Sequence, residues 1–341
     1  MIERDRRDVG AILQEWDDDP VDGDASSESM NEEAVLDAET LGKRSDGSPI
    51  LSYSTVVGDV SRGQILVCIA LHGDEPCGIG AWWGIARDLE RNPTLLRTGV
   101  RVVIPDPGRG ERNLEGKDPN RMFTEQRESP AGRLAQNLYA EIDKSKFVLD
   151  IHCGRHCAPF IIVDEPVGSR DLSDGMSWQV AESVGCATVA EMNGPYGKEL
   201  QAALVAAARR RGVPGFTVEL PHRASPELAY GILRNALIGA GAIIGQPTDL
   251  GLGDVPRGRG YRRTLSHATA TGFYYPVADV GEWTDAARPL CEIRQINGEF
   301  VSAVAYPHAF VLAVDKHLGE AVRQGEVIGE IAATGDEETW R

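Results

Sequence analysis

The 341-residue chain has no apolar run approaching the length of a membrane span, so no segment of it reads as transmembrane. Its start, Met1-Ile-Glu-Arg-Asp-Arg-Arg-Asp8, lacks the hydrophobic stretch that a secretory signal requires. No basic stripe and no interleaving of aromatic with basic residues is present, which argues against a nucleic-acid partner. Cysteine is sparse: residues 68, 77, 153, 157, 186 and 291 are scattered, and fit reduced thiols in a cytoplasmic protein better than a disulfide frame.

The formal charge is −17, but residues 1–48 carry −10 of it, with fifteen Asp/Glu against five Lys/Arg. Acidity therefore describes a tail more than a folded body. Residues 1–44, with Asp17-Asp-Asp19 and Glu32-Glu33 and few large apolar residues, read as a mostly disordered segment with at most a short helix over 9–16. The remaining length suffices for one large domain and one small one.

Strand patterns cover 50–57, 64–71, 99–105, 147–152, 159–163, 186–190 and 215–220. Helical patterns cover the segment behind Pro76, then 131–142, 176–185, 199–211 and 226–238. Strands alternating with helices mean an α/β domain with a mixed, mainly parallel sheet flanked by helices, here over residues 45–245. A Gly-rich linker over 246–262 follows. Beyond it the helical periodicity stops, and residues 263–335 repeat themselves. Val280-Gly-Glu282 and Leu318-Gly-Glu320 lie 38 apart, as do Cys291-Glu-Ile293 and Gly329-Glu-Ile331. The duplication predicts a small all-β barrel-sandwich module resembling a lipoyl or biotinyl carrier. Its central hairpin tip, Asn297-Gly298, holds no Lys, and Lys316 falls elsewhere, so no swinging cofactor arm is expected.

The chemistry concentrates at Ile65-Leu-Val-Cys-Ile-Ala-Leu-His72-Gly-Asp-Glu75-Pro76, a buried strand that runs into an imidazole and carboxylates. His72 and Glu75, three apart, can aim at one point across a tight turn, and imidazole plus carboxylate is half of a zinc site. His152 ends another apolar strand and supplies a third ligand. Asp150, two residues earlier on the same strand face, can orient it. Two His and one Glu with a fourth position for water is a catalytic arrangement. A local knot of His152-Cys153-x-x-His156-Cys157 is the competing reading.

Glu219 closes the strand 215–220, where a lone carboxylate is costly to bury without a use. Beside an activated water it can act as general base; capping the next helix or pairing with Arg223 is the plainer alternative. The Gly/Pro/charge-rich loop 105–128 adds Arg112, Asn120 and Arg121, and a guanidinium there can hold a substrate carboxylate bidentately. Arg209, Arg210 and Arg211 end a helix and suit its negative dipole end.

Taken in order, His72-Gly-Asp-Glu75, Asp118-Pro-Asn-Arg121, Asp150-Ile-His152 and Val218-Glu219 resemble the succinylglutamate desuccinylase/aspartoacylase family of the zinc carboxypeptidase superfamily. The resemblance spans about residues 45–335 and includes the duplicated β module. It implies one zinc per chain on His72, Glu75 and His152, with Glu219 as general base. It also implies Asn120 and Arg121 on a substrate carboxylate and Arg112 on the scissile carbonyl. The chain departs from the pattern at Pro119, where the family has Leu, and by one extra residue between Arg112 and Asn120. The superfamily's substrate-binding Tyr is not placed; Tyr196, Tyr274, Tyr275 and Tyr306 are candidates. The implied activity is removal of an acyl group from an N-acyl amino acid or related small amide, in the cytoplasm, without membrane or nucleic acid; a homo-oligomer is compatible with it. A carboxypeptidase acting on short peptides, or a non-catalytic metal-binding interaction protein, are the alternatives.

Overall fold

A computed structural model describes residues 37–44, 47–61, 63–106, 110–124, 128–164, 172–191, 200–285 and 287–334. The segment 1–36, with the helix expected over 9–16, and Tyr196 lie outside the described residues. In the first part of the chain the strands are β1 (Asp37–Lys43), β2 (Pro49–Val57), β3 (Gln64–Ile69), β4 (Gly99–Pro105), β5 (Ser145–Gly154), β6 (Phe160–Val163), β7 (Ala187–Ala190) and β8 (Gly215–Pro221). Between them run α1 (Cys77–Arg91), α2 (Pro130–Ile142), α3 (Leu172–Val184) and α4 (Leu204–Arg210), and α5 (Pro226–Gly239) follows. The last third is all β: β9 (Tyr261–His267), β10 (Gly272–Pro276), β11 (Trp283–Thr284), β12 (Cys291–Arg294), β13 (Phe300–Val304), β14 (Ala309–Val314), β15 (Ala321–Val322) and β16 (Val327–Thr334).

One twelve-stranded sheet runs in the order β1-β2-β4-β3-β5-β8-β6-β7-β9-β16-β14-β11. Its centre is parallel: β3 pairs with β4 and β5, and β5 with β8. Strands β1, β2 and β6 run antiparallel to their neighbours β2, β4 and β8. The sheet is therefore mixed and mainly parallel at its core. Every residue of β3 is buried, as expected of a strand covered on both faces.

The period-two alternation of β3 sorts the two layers. Ile65, Val67 and Ile69 face α1, α3 and α5, whereas Leu66 and Cys68 face α2 and α4. Local chemistry starts two of these helices. Ser129 and Ser225 each accept a backbone N–H three residues on, and a proline follows each at the first helical position.

Two boundaries differ from those read in the sequence. Residues 37–43, placed there in the acidic tail, form edge strand β1 against β2. Leu41 is its one buried residue and a register shift falls between Thr40 and Gly42, so the local pattern is too weak to announce a strand. Nor is the β module set apart by its linker. β9 pairs in parallel with β7 at Ala190–Arg262, and β16, β14 and β11 extend the same sheet. A second, four-stranded sheet, β13-β12-β10-β15, packs over these strands around Tyr274, Ile293, Val311 and Ile328. The duplication is visible in the turns. Gly281 and Gly319 both have positive φ, and Glu282 and Glu320 each accept from the backbone N–H three residues earlier, at Asp279 and His317.

Removing the side chain of Leu66, fully buried between sheet and helices, should destabilise the protein by about 2–5 kcal/mol. Ile296→Ala, at an 88% exposed hairpin position, should stay within about 0.5 kcal/mol. Urea unfolding of the two variants checks the contrast.

Candidate metal centre

The parallel ladder between β3 and β5 ends at Ile69–Ile151. Ala70 then takes a positive φ of 58°, unusual for a residue with a Cβ, and turns the chain over the carboxyl edge of the sheet. A second turn, Glu75 N–H to His72 carbonyl at 3.1 Å, folds the loop so that His72 and Glu75 point to the same place. One residue past Ile151, His152 arrives from β5.

The three side chains are buried and meet. His72 Nδ1 lies 2.9 Å from Glu75 Oε1, His152 Nδ1 lies 2.7 Å from Glu75 Oε2, and the two Nδ1 atoms are 3.1 Å apart. The outer nitrogens have carboxylate partners: His72 Nε2 sits 3.1 Å from Asp118 Oδ1, and His152 Nε2 sits 3.0 Å from Asp150 Oδ2. An Nε2–H donated to each carboxylate leaves a lone pair on each Nδ1. Two lone pairs and two carboxylate oxygens then face one point, an arrangement that a divalent cation fits.

The charges follow. Burial raises the Glu75 carboxyl, but the imidazoles of His152 and His72 outweigh it and hold Glu75 well below the usual carboxylate range. Burial works against a charged His152, yet Asp150 and Glu75 drive its pKa well up. For Asp118, burial is again outweighed by His72, and the carboxyl falls to about 2.

Each expected site residue can be located. Asp150 stands behind His152, as strand alternation predicts. Arg112 reaches the cluster, where Nη1 donates to Glu75 Oε1 at 2.8 Å with the guanidinium half exposed. Asn120 is buried behind the ligands: Nδ2 donates to Asp150 Oδ2 at 3.2 Å, and Oδ1 accepts the Leu204 N–H at 2.8 Å. Both polar atoms of its amide thus have protein partners, and the residue also lines the cleft. Arg121 ties back to the Asn120 carbonyl at 2.9 Å and lines the cleft. Glu219 is the cross-strand neighbour of His152 and lines the cleft over the site; burial pushes its carboxyl up to about 7 against the pull of His152.

The cleft encloses about 1210 Å³ and joins both parts of the chain. Arg263 and Glu330, from β9 and β16, form part of its wall. Arg263 pairs with Glu330 at 2.7 Å and with Glu191 at 3.3 Å, a buried ion group that fixes the β module against the sheet edge. Tyr274 and Tyr306 pack instead in the module, where Tyr306 Oη bonds Ser266, and Tyr275 lies beneath Arg294. Among the described residues no tyrosine lines the cleft.

The sequence reading names Asp118 only within its motif, without a role, and does not reach the Arg263 group. Asp118 does carry a signal, since it also caps the short 3-10 turn Pro119–Arg121 by accepting the Asn120 N–H. The competing knot at 152–157 does not form: the His156 ring packs on His317 at 4.8 Å, and Cys157 points to the Leu220 carbonyl. Cysteine state is corrected too. Cys77 and Cys153 are joined in a disulfide, while Cys68, Cys157, Cys186 and Cys291 are free and buried. The two partners lie 76 residues apart, and only the folding of α1 against β5 brings them together. Arg209 and Arg211, read as dipole partners, also hold Asp164 and Asp143.

Residues 61–226 match the family model of the succinylglutamate desuccinylase/aspartoacylase catalytic domain. That stretch is thus similar to the catalytic domain of a family of deacylating hydrolases. Solved structures extend the likeness over the β module. A succinylglutamate desuccinylase/aspartoacylase from Rhodobacter sphaeroides is 18% identical, with a TM-score of 0.67 over 88% of this chain and 95% of its own. The product-bound ectoine utilization protein EutE (DoeB) from Ruegeria pomeroyi is 16% identical, with a TM-score of 0.68 over 88% and 94%. An aspartoacylase family protein from Mesorhizobium loti is 18% identical, with a TM-score of 0.65 over 89% and 95%. At these identities the likeness is one of fold. No curated protein sequence matches the chain. No helix among the described residues is long and apolar enough to cross a membrane.

Because Asp118 faces the outer nitrogen of His72, Asp118→Asn should weaken binding of a divalent cation by about 10–100-fold. Competition against a chromophoric chelator measures it, and the fold should stay intact by circular dichroism.

Proposed function

We propose that this protein is a zinc-dependent amidohydrolase that removes the acyl group from a small N-acyl amino acid, with one zinc held by His72, Glu75 and His152. The observation that carries the reading is the convergence of both Nδ1 atoms and the Glu75 carboxylate, all within 4.8 Å, beside Glu219 in one cleft. A zinc ion bound there supplies a Lewis acid that polarises the substrate carbonyl and acidifies water.

The protein's own groups do the rest. Asp118 and Asp150 hold the two imidazoles in the tautomer that presents Nδ1. Glu219 takes a proton from the attacking water and returns it to the departing amine. Arg121 offers a guanidinium for the carboxylate of the amino acid. Arg112, anchored on Glu75 yet half exposed, faces the carbonyl oxygen as negative charge develops on it. Asn120 serves by bracing Asp150.

The test is metal analysis of the purified protein together with release of free amine from N-acetyl, N-succinyl and N-formyl amino acids. Dipeptides run in parallel separate a deacylase from a carboxypeptidase. Glu219→Gln should lower kcat by about 10²–10⁴-fold with zinc content unchanged. Because burial raises the Glu219 carboxyl, wild-type kcat/KM should decline as pH falls below neutrality, and that acid limb should vanish from the residual activity of the variant. Full activity in Glu219→Gln would refute the assignment.

A further inference from the structure

Two cysteines bracket the metal centre. Cys77 opens α1 two residues after Glu75, and Cys153 follows His152 directly in β5; their disulfide spans Cα atoms 6.5 Å apart. The position matters because the β3–β5 ladder has already ended at Ile69–Ile151. Past that point the segment 70–76, which carries both His72 and Glu75, has left the sheet. Near the ligands, a weak hydrogen bond from Cys153 N–H to Glu75 Oε2, 3.3 Å long, links the segment to the β5 backbone. The disulfide adds a covalent tie at the same place.

The remaining cysteines are poor competitors for redox chemistry. All four are buried, and burial raises every one of their thiols, Cys157, Cys186 and Cys291 to about 12. Cys153 by contrast lines the cleft, and Cys77 is half-buried.

We propose that the Cys77–Cys153 disulfide is a redox-modification site that couples thiol state to metal retention; the coupling rests on the reading of His72, Glu75 and His152 as metal ligands. A small dithiol reductant entering the cleft attacks one sulfur through its thiolate, forming a mixed disulfide and releasing the other cysteine. The second reductant thiol then displaces the first cysteine, so two electrons and two protons pass to Cys77 and Cys153 and the reductant leaves as its own disulfide. Reduction leaves segment 70–76 tied to the end of β5 by the polar contacts of Glu75 without the covalent link, and the cation escapes faster. Reoxidation by an oxidised dithiol restores the clamp.

The test begins with the intact chain, unfolded without reductant and alkylated. Four of the six cysteines should react, with the Cys77 and Cys153 peptides recovered as one linked species by mass spectrometry; six reactive thiols would overturn the proposal. Zinc stoichiometry of the oxidised protein is measured next, and absence of zinc would sink the functional reading and the coupling together. Zinc release into excess chelator is then timed with and without a phosphine reductant, used because a dithiol itself ligates zinc. Release should quicken about tenfold on reduction, in the range seen when support behind metal ligands is lost. The double variant Cys77→Ser/Cys153→Ser should release zinc at the fast rate under both conditions, while Cys291→Ser should respond like the parent. Zinc bound but released at one rate whatever the thiol state would overturn the coupling and leave the hydrolase reading standing.

Discussion

Two imidazole nitrogens 3.1 Å apart, with a carboxylate oxygen against each, form the constraint on which the rest of the structure depends. Such a set of donors suits a divalent cation placed between them. The protein enforces the crowding by placing carboxylates behind both rings, so neither ring can turn its other nitrogen inward. Burial strengthens every one of these interactions, because little water competes for the charges.

The sheet makes this geometry affordable. Three adjacent parallel strands, β3, β5 and β8, deliver His72 with Glu75, His152 and Glu219 to one edge, and helices on both faces keep those strands dry. The β module completes the cleft. Arg263 and Glu330 extend its wall, and a group from the C-terminal strands thereby enters the electrostatic environment of Glu219. Fold, charge and chemistry meet at the carboxyl edge, where an open α/β sheet places its ligands.

Much of this was legible in the sequence, for identifiable reasons. Strand β3 is announced by the unbroken apolar run 65–71, and His72 and Glu75 by their spacing just beyond it. Asp150 followed from period-two alternation alone. What stayed hidden required distant parts of the chain to meet. Asp118 faces His72 across 46 residues, and Cys77 joins Cys153 across 76, and no local periodicity encodes either contact. The residue type of Asn120 does not reveal that Asp150 and the Leu204 N–H engage its amide. Strand β1 was lost in an acidic segment with one buried side chain.

The central claim is a cation held by two imidazoles and one carboxylate. X-ray absorption at the zinc edge of the loaded protein tests it most directly. The account predicts a shell of nitrogen and oxygen with outer scattering from two imidazole rings, falling to one ring in His152→Ala. A shell containing sulfur, or ring scattering unchanged in that variant, would contradict it.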